Sequence, residues 1–221
     1  MTAPAIVRSE TRTNDLLLVG VKEYAESIDS VRNCSGLILD ITDFPGLNDS
    51  EIEAMVISLR SRMDNSSIIL LRGRIDRIER VFRLVMDLDL DGAVVICSTP
   101  SGSRLASSLP KIGLASKAMG IGETGKFVML EIDFEPQAKD MLIAIASGCT
   151  AVVSPHMGGS VQSKIENLGR EIRGWMRDIG VDRIDRIGRR NLRADDYDTA
   201  AISGLRLVGY ERPLKMWLEL G

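Results

Sequence analysis

Six polar residues stand where short apolar runs stop: Asp40, Arg72, Ser98, Thr99, Asp133 and Ser154. The single histidine of the chain, His156, lies just beyond the last of them. If the apolar runs are parallel strands, these residues share the C-terminal edge of the sheet, where such folds bind ligands. A guanidinium, hydroxyls and carboxylates gathered there can hold a small anionic ligand or move a proton. A polar ring of this kind is also what strand ends show wherever they open into solvated loops.

The neighbouring residues Ser101, Gly102, Ser103 and Arg104 offer hydroxyls, an unhindered backbone amide and a guanidinium to an anion. The same serines equally suit the N-cap of a following helix. His156 has the chemistry of a general acid or base. No acidic residue is near it in sequence, and Pro155, Gly158 and Gly159 mark a loop, so a solvated histidine is the plainer reading. Asp195, Asp196 and Asp198 are close enough to suggest a divalent ion. They lack the glycine and spacing of a calcium loop, and they fit the first turn of a helix, at its positive end. The three cysteines, Cys34, Cys97 and Cys149, are far apart and odd in number. Metal and cluster sites use close pairs, so buried reduced thiols are expected, in a reducing cytoplasm. No catalytic residue and no metal ligand is assigned.

The elements that must position these residues alternate. Apolar runs at 16–20, 36–41, 67–71, 93–97, 127–132 and 151–154 read as strands buried on both faces. Between them lie helical patterns. Asn48 and Glu51 form a capping box ahead of Ile52, Met55, Val56, Leu59 and Met63, which share one face. Ile75, Ile78, Phe82, Val85 and Leu88 make a second face, with Arg77, Arg80 and Arg83 outside it. Strand–helix alternation calls for a parallel sheet with right-handed crossovers. About six such units fit, whereas a complete eightfold barrel takes about 250 residues and this chain has 221.

From residue 160 the pattern is helical. Val161, Ile165, Leu168, Ile172, Trp175 and Ile179 form a seam suited to packing, or to pairing two copies of the chain. Residues 205–209 suit a terminal strand or extended arm, and Pro213 and Trp217 mark a tail that docks on something.

With 44% hydrophobic residues, the chain can bury a sizeable core. Its 28 basic and 31 acidic residues interleave and aromatics make up only 4%, which argues against nucleic acid as a partner. No apolar run spans a bilayer.

Three stretches resemble the FMN-binding barrel domain of glutamate synthase, between residues 35 and 192. They are DITDFPGLNDSEIEAMVISLRSRMDNSSIILL, the segment from DGAVVICS through KIGLASKAMGIGE to LEIDFEPQAKD, and EIRGWMRDIGVDRIDRIGRRNL. The resemblance implies a flavin barrel of amino-nitrogen metabolism, an oxidoreductase. The family's cofactor elements are nonetheless absent. Its glycine-rich phosphate loop is replaced at 98–104, and its phosphate turn by Ser154, Pro155 and His156. Its flavin-facing lysine reads as Leu70 or Leu71, followed by Arg72. Its cluster cysteines are absent.

The resulting expectation is an α/β protein, a shortened or incomplete TIM-like barrel of about six parallel strands. An open doubly wound sheet is the runner-up. An N-terminal segment (1–34) precedes the barrel-like domain (35–159), and a helical C-terminal extension (160–221) packs on it. The implied function is that of a degenerate glutamate-synthase-like protein holding neither FMN nor an iron–sulfur cluster. The alternatives are a non-catalytic assembly or regulatory subunit, or a barrel binding a small anionic ligand. Partners would be further copies of the chain or a larger complex.

Overall fold

Each apolar run becomes a strand because the helix after it returns the chain to the same end of the sheet, as parallel pairing requires. The computed structural model describes residues 5–7, 16–21, 24, 36–44, 46–63, 67–97, 105–154 and 160–211. Seven strands form one sheet: β1 (Ala5–Val7), β2 (Leu16–Gly20), β3 (Gly36–Asp40), β4 (Ile68–Arg74), β5 (Gly92–Ile96), β6 (Phe127–Glu131) and β7 (Ala151–Ser154). Every pairing is parallel. The strand order is β1-β7-β6-β5-β4-β3-β2.

This order separates the two expected architectures. A doubly wound sheet reverses direction at a switch point. Here β2 to β7 lie side by side in chain order, and the last strand then pairs with the first. That is barrel winding, with β1 and β2 at the two ends of the sheet among the described residues. Strand β1, too short to stand out in the sequence, is added to the expected set. Residues 205–209 supply a bridge, Leu207 to Ala194, rather than a strand, because Gly209 at φ 84° turns the chain.

Alternation along the strands gives the sheet an inner and an outer face. Leu70, Val94, Met129, Ala151 and Val153, with Ile38 against them, form a small cluster of strand residues alone. Their sequence neighbours Leu37, Leu39, Ile69, Leu71, Ala93, Val95, Val128, Leu130 and Val152 belong to a much larger cluster shared with the helices. Helices therefore cover one face of the sheet, and the strand-only cluster lies on the other.

The helices are α1 (Asp49–Arg60), α2 (Ile78–Asp87), α3 (Leu105–Met119), α4 (Ala138–Ala146), α5 (Val161–Asp178) and α6 (Tyr197–Ser203). The capping box opens α1 as expected. The Glu51 amide donates to Asn48 Oδ1 at 2.8 Å, and the Asn48 amide to Glu51 Oε2 at 2.9 Å. Asp49, in the first turn, accepts from Arg80 Nε at 2.9 Å and from Arg83 Nη2 at 2.7 Å, which ties α1 to α2. Leu168, Ile172 and Met176 of α5 are buried, the last two in the chain's own outer core. Trp175 and Ile179 of the same seam stay exposed. No helix of the described residues is long and apolar enough to cross a membrane.

Candidate functional site

The interior changes character towards the C-terminal ends of the strands. Two residues beyond Ile38, Leu70 and Met129, on the same inward face, stand Asp40, Arg72 and Glu131. Asp40 is in register with Arg72 across the β3–β4 pair. Arg72 also reaches past β5 to Glu131 on β6. The residue of β5 in register with Arg72 is Val94, fully buried, which offers no competing polar group.

The arginine is clamped. Its Nε donates to Glu131 Oε2 at 2.7 Å and its Nη2 to Glu131 Oε1 at 2.6 Å, a bidentate pair. Its Nη1 donates to Asp40 Oδ2. The other oxygen of Asp40 accepts from the Thr42 hydroxyl at 2.7 Å and the Thr42 amide at 3.0 Å. Side-chain exposure is 12% for Arg72, 14% for Asp40 and 16% for Glu131, so the cluster sits inside the mouth yet within reach of a small molecule. Burial works against the arginine's charge. The Glu131 hydrogen bond and the negative charges of Asp40 and Glu131 outweigh it and raise the guanidinium pKa above its ordinary value.

A guanidinium has five N–H donors. Among the described residues Arg72 uses three, leaving one N–H on each terminal nitrogen. Among the described residues, two carboxylates around one guanidinium give these three side chains a net charge of −1. Arg74, one step nearer the rim on the same strand face, pairs with Asp76 at 3.4 Å in a far more exposed setting. The cluster thus presents two N–H donors beside carboxylate acceptors, in surroundings that disfavour a second negative charge.

Of the residues singled out from sequence, Asp40 and Arg72 are brought together. Asp133 is exposed, just beyond the end of β6. Ser154 is buried and shares the alternation phase of Val152, the outer one. Ser98, Thr99, Ser101, Gly102, Ser103, Arg104 and His156 lie outside the described residues. Asp196 is the N-cap of α6, its carboxylate accepting from the Thr199 amide at 2.7 Å, and Asp198 lies in the first turn. Cys97 and Cys149 are buried and form no disulfide, and Cys34 lies outside the described residues. Burial, and secondarily the Cys97 charge, pushes the Cys149 thiol up to about 12.

Glu131 was not among the sequence candidates. Its signal is a lone carboxylate in phase with Met129, inside the otherwise apolar run 127–132.

No family model matches this chain, and no curated protein does. Among solved structures, dihydrodipicolinate synthase from Rhodopseudomonas palustris is similar to it, at TM-score 0.49 and 16% identity. The match covers 76% of this chain and 60% of that chain. The resemblance to glutamate synthase is overturned: no model of that family, or of any other, matches the chain. The degenerate amino-nitrogen function inferred from it falls too. The resembling stretches carry what parallel strand–helix winding demands of any sequence, namely apolar strands, capped helices and glycine stops. Of the two leucines read at the flavin-facing position, Leu70 belongs to the interior floor and Leu71 to the outer core.

Proposed function

We propose that this protein binds a small polar organic molecule at the C-terminal mouth of its barrel. The molecule would carry an oxygen acceptor beside a hydroxyl or ammonium group. The observation that carries this reading is the arginine clamped inside the mouth, with one N–H left on each terminal nitrogen beside the Asp40 and Glu131 carboxylates. Charges inside a protein cost several kcal/mol each in lost hydration, and apolar residues of similar volume often stabilise as well or better. An interior layer of one guanidinium and two carboxylates is thus a poor way to fill a barrel and a good way to recognise a ligand. The acceptor would take the two free donors of Arg72, and the hydroxyl or ammonium would face the carboxylates. With these three side chains at net charge −1 among the described residues, neutral and cationic ligands are favoured over phosphates and dicarboxylates.

A thermal-shift screen comparing amino alcohols, amines and polyols with phosphates and dicarboxylates tests the reading. A specific ligand at about 100 times its Kd stabilises the fold by roughly 2.7 kcal/mol. Glu131→Gln should weaken the hit at least tenfold while the chain stays folded. A screen answered by anions alone would contradict the proposal. So would a chain carrying Asp40→Leu, Arg72→Met and Glu131→Leu that binds the same ligand undiminished.

A further inference from the structure

The polar layer of the mouth does not end at Arg72. Strand β4 continues past the point where β3 stops, because Asp40, the last residue of β3, is in register with Arg72. The added residues are Gly73 and Arg74, and Gly73 fixes which way they face. A Cβ built on it would lie 2.4 Å from Val81 Cγ2 of α2, so Gly73 points at the helix layer. Alternation then turns Arg74 to the inner side, the side of Arg72.

Register gives Arg74 its neighbours. It stands opposite Ile96 of β5, and Ile96 stands opposite Glu131 of β6. Arg74 and Glu131 thus share one row across the sheet, on either side of Ile96, with Cα atoms about 9.6 Å apart, two strand spacings. Both oxygens of Glu131 accept from Arg72, one row deeper. The guanidinium of Arg74 is left with a local partner, its Nε 3.4 Å from Asp76 Oδ1. That is longer than the roughly 2.7–2.9 Å of a charge-assisted hydrogen bond. Both side chains of the pair are well exposed, and such pairs contribute little. A guanidinium is shaped to meet a carboxylate with two parallel N–H groups. Among the described residues no carboxylate holds Arg74 in that way.

We propose that Arg74 is a carboxylate subsite of the mouth, and that the ligand is a hydroxy amino acid of net charge zero. This rests on the reading of the mouth given above and narrows it. The hydroxyl takes the two donors that Arg72 has left among the described residues, the ammonium faces Glu131 and Asp40, and the carboxylate pairs with Arg74. Half-buried Ile96, between the two charged ends, gives the short carbon frame an apolar surface to lie on. A zwitterion satisfies Arg74 without adding net negative charge beside Asp40 and Glu131.

Titration calorimetry on the full chain tests this with matched probes. Serine and homoserine are compared with the amino alcohols in which their carboxylate is reduced to a hydroxymethyl group. Each acid should bind about tenfold tighter than its alcohol, the worth of one hydrogen-bonded ion pair at a partly exposed site. Arg74→Gln should erase that preference and leave the affinity of the alcohols unchanged. Asp76→Asn acts in the opposite direction: freed of its local partner, Arg74 should hold the acids several-fold tighter, again with the alcohols unmoved. Glu131→Gln should weaken acids and alcohols alike. Alcohols that bind as well as their acids would overturn the carboxylate subsite and leave the reading of the mouth standing. A preference for the acids that survives Arg74→Gln, or that Asp76→Asn does not raise, would also overturn it, since the carboxylate would then be held elsewhere. Binding of neither series would remove both the reading of the mouth and this subsite.

Discussion

The two faces of the same strands are built on different principles. The outer face is continuous hydrocarbon: Phe82, Leu37, Leu39, Leu71, Leu130 and Ile52 are fully buried between sheet and helices. The inner face is a short apolar floor of Leu70, Val94, Met129, Ala151 and Val153, capped by Asp40, Arg72 and Glu131. A one-residue step along β4, from Leu71 to Arg72, crosses from one to the other. The outer layer tolerates only side chains that fill space, because voids there forfeit dispersion contacts and transfer energy together. The inner layer accepts charges because each is paired and the mouth admits some water. Stability is therefore concentrated outside, and the recognition proposed for this protein inside.

The largest effect should come from the outer layer. Phe82→Ala leaves a cavity beneath α2 and should cost about 3–5 kcal/mol, read by denaturant unfolding. Ligand affinity at the mouth should hardly change in the molecules that remain folded. A loss below 1 kcal/mol would mean that the outer layer is not the principal core.

Next, Arg72→Met leaves two carboxylates facing each other without their cation, at a cost of about 3 kcal/mol, the lower end for buried pairs because the mouth is partly hydrated. Arg72→Lys, which restores the cation, should recover much of that deficit. A Lys chain no more stable than the Met chain would show that the geometry of the guanidinium, not its charge, matters there.

A third prediction concerns the outer layer at high pH. The folded Cys149 thiol titrates at about 12 against an ordinary 9.0. Its pKa is raised on folding, so the stability it contributes is complete below pH 9 and is lost as pH climbs from 9 to 12, where only the unfolded chain sheds the proton. Cys149→Ala should flatten that alkaline decline, and the native thiol should resist alkylation at pH 8. Fast alkylation of the folded chain would place the thiol at the surface.

The smallest effect is at the mouth again. Thr42→Val removes one hydroxyl from Asp40 and keeps the amide, so about 1 kcal/mol is expected by the same denaturant measurement. A much larger loss would mean that Asp40 is held chiefly by Thr42 and not by Arg72.

Much of the frame was legible in the sequence. Asn48 and Glu51 announce α1, because a capping box is a local arrangement of neighbouring atoms. Ile78, Phe82 and Val85 announce the buried face of α2, because 3.6-residue periodicity is a property of one element. The parallel strands follow from their unbroken apolar runs and the helices between them. What the sequence alone could not decide was which way each strand residue faces. In a run such as IILLRGR every second residue is equally apolar, so alternation carries no sign. The direction is fixed only when the sheet curls and the helices take one side. That choice puts Leu70 beneath Arg72, brings Glu131 to the same guanidinium from 59 residues away, and leaves Asp133 in solvent. Strand order was decided in the same way, since the return of β7 to β1 is a pairing between the two ends of the described sheet sequence, and no local pattern encodes it. Local physics settled the elements of this protein, and long-range pairing settled which of their residues share the barrel mouth.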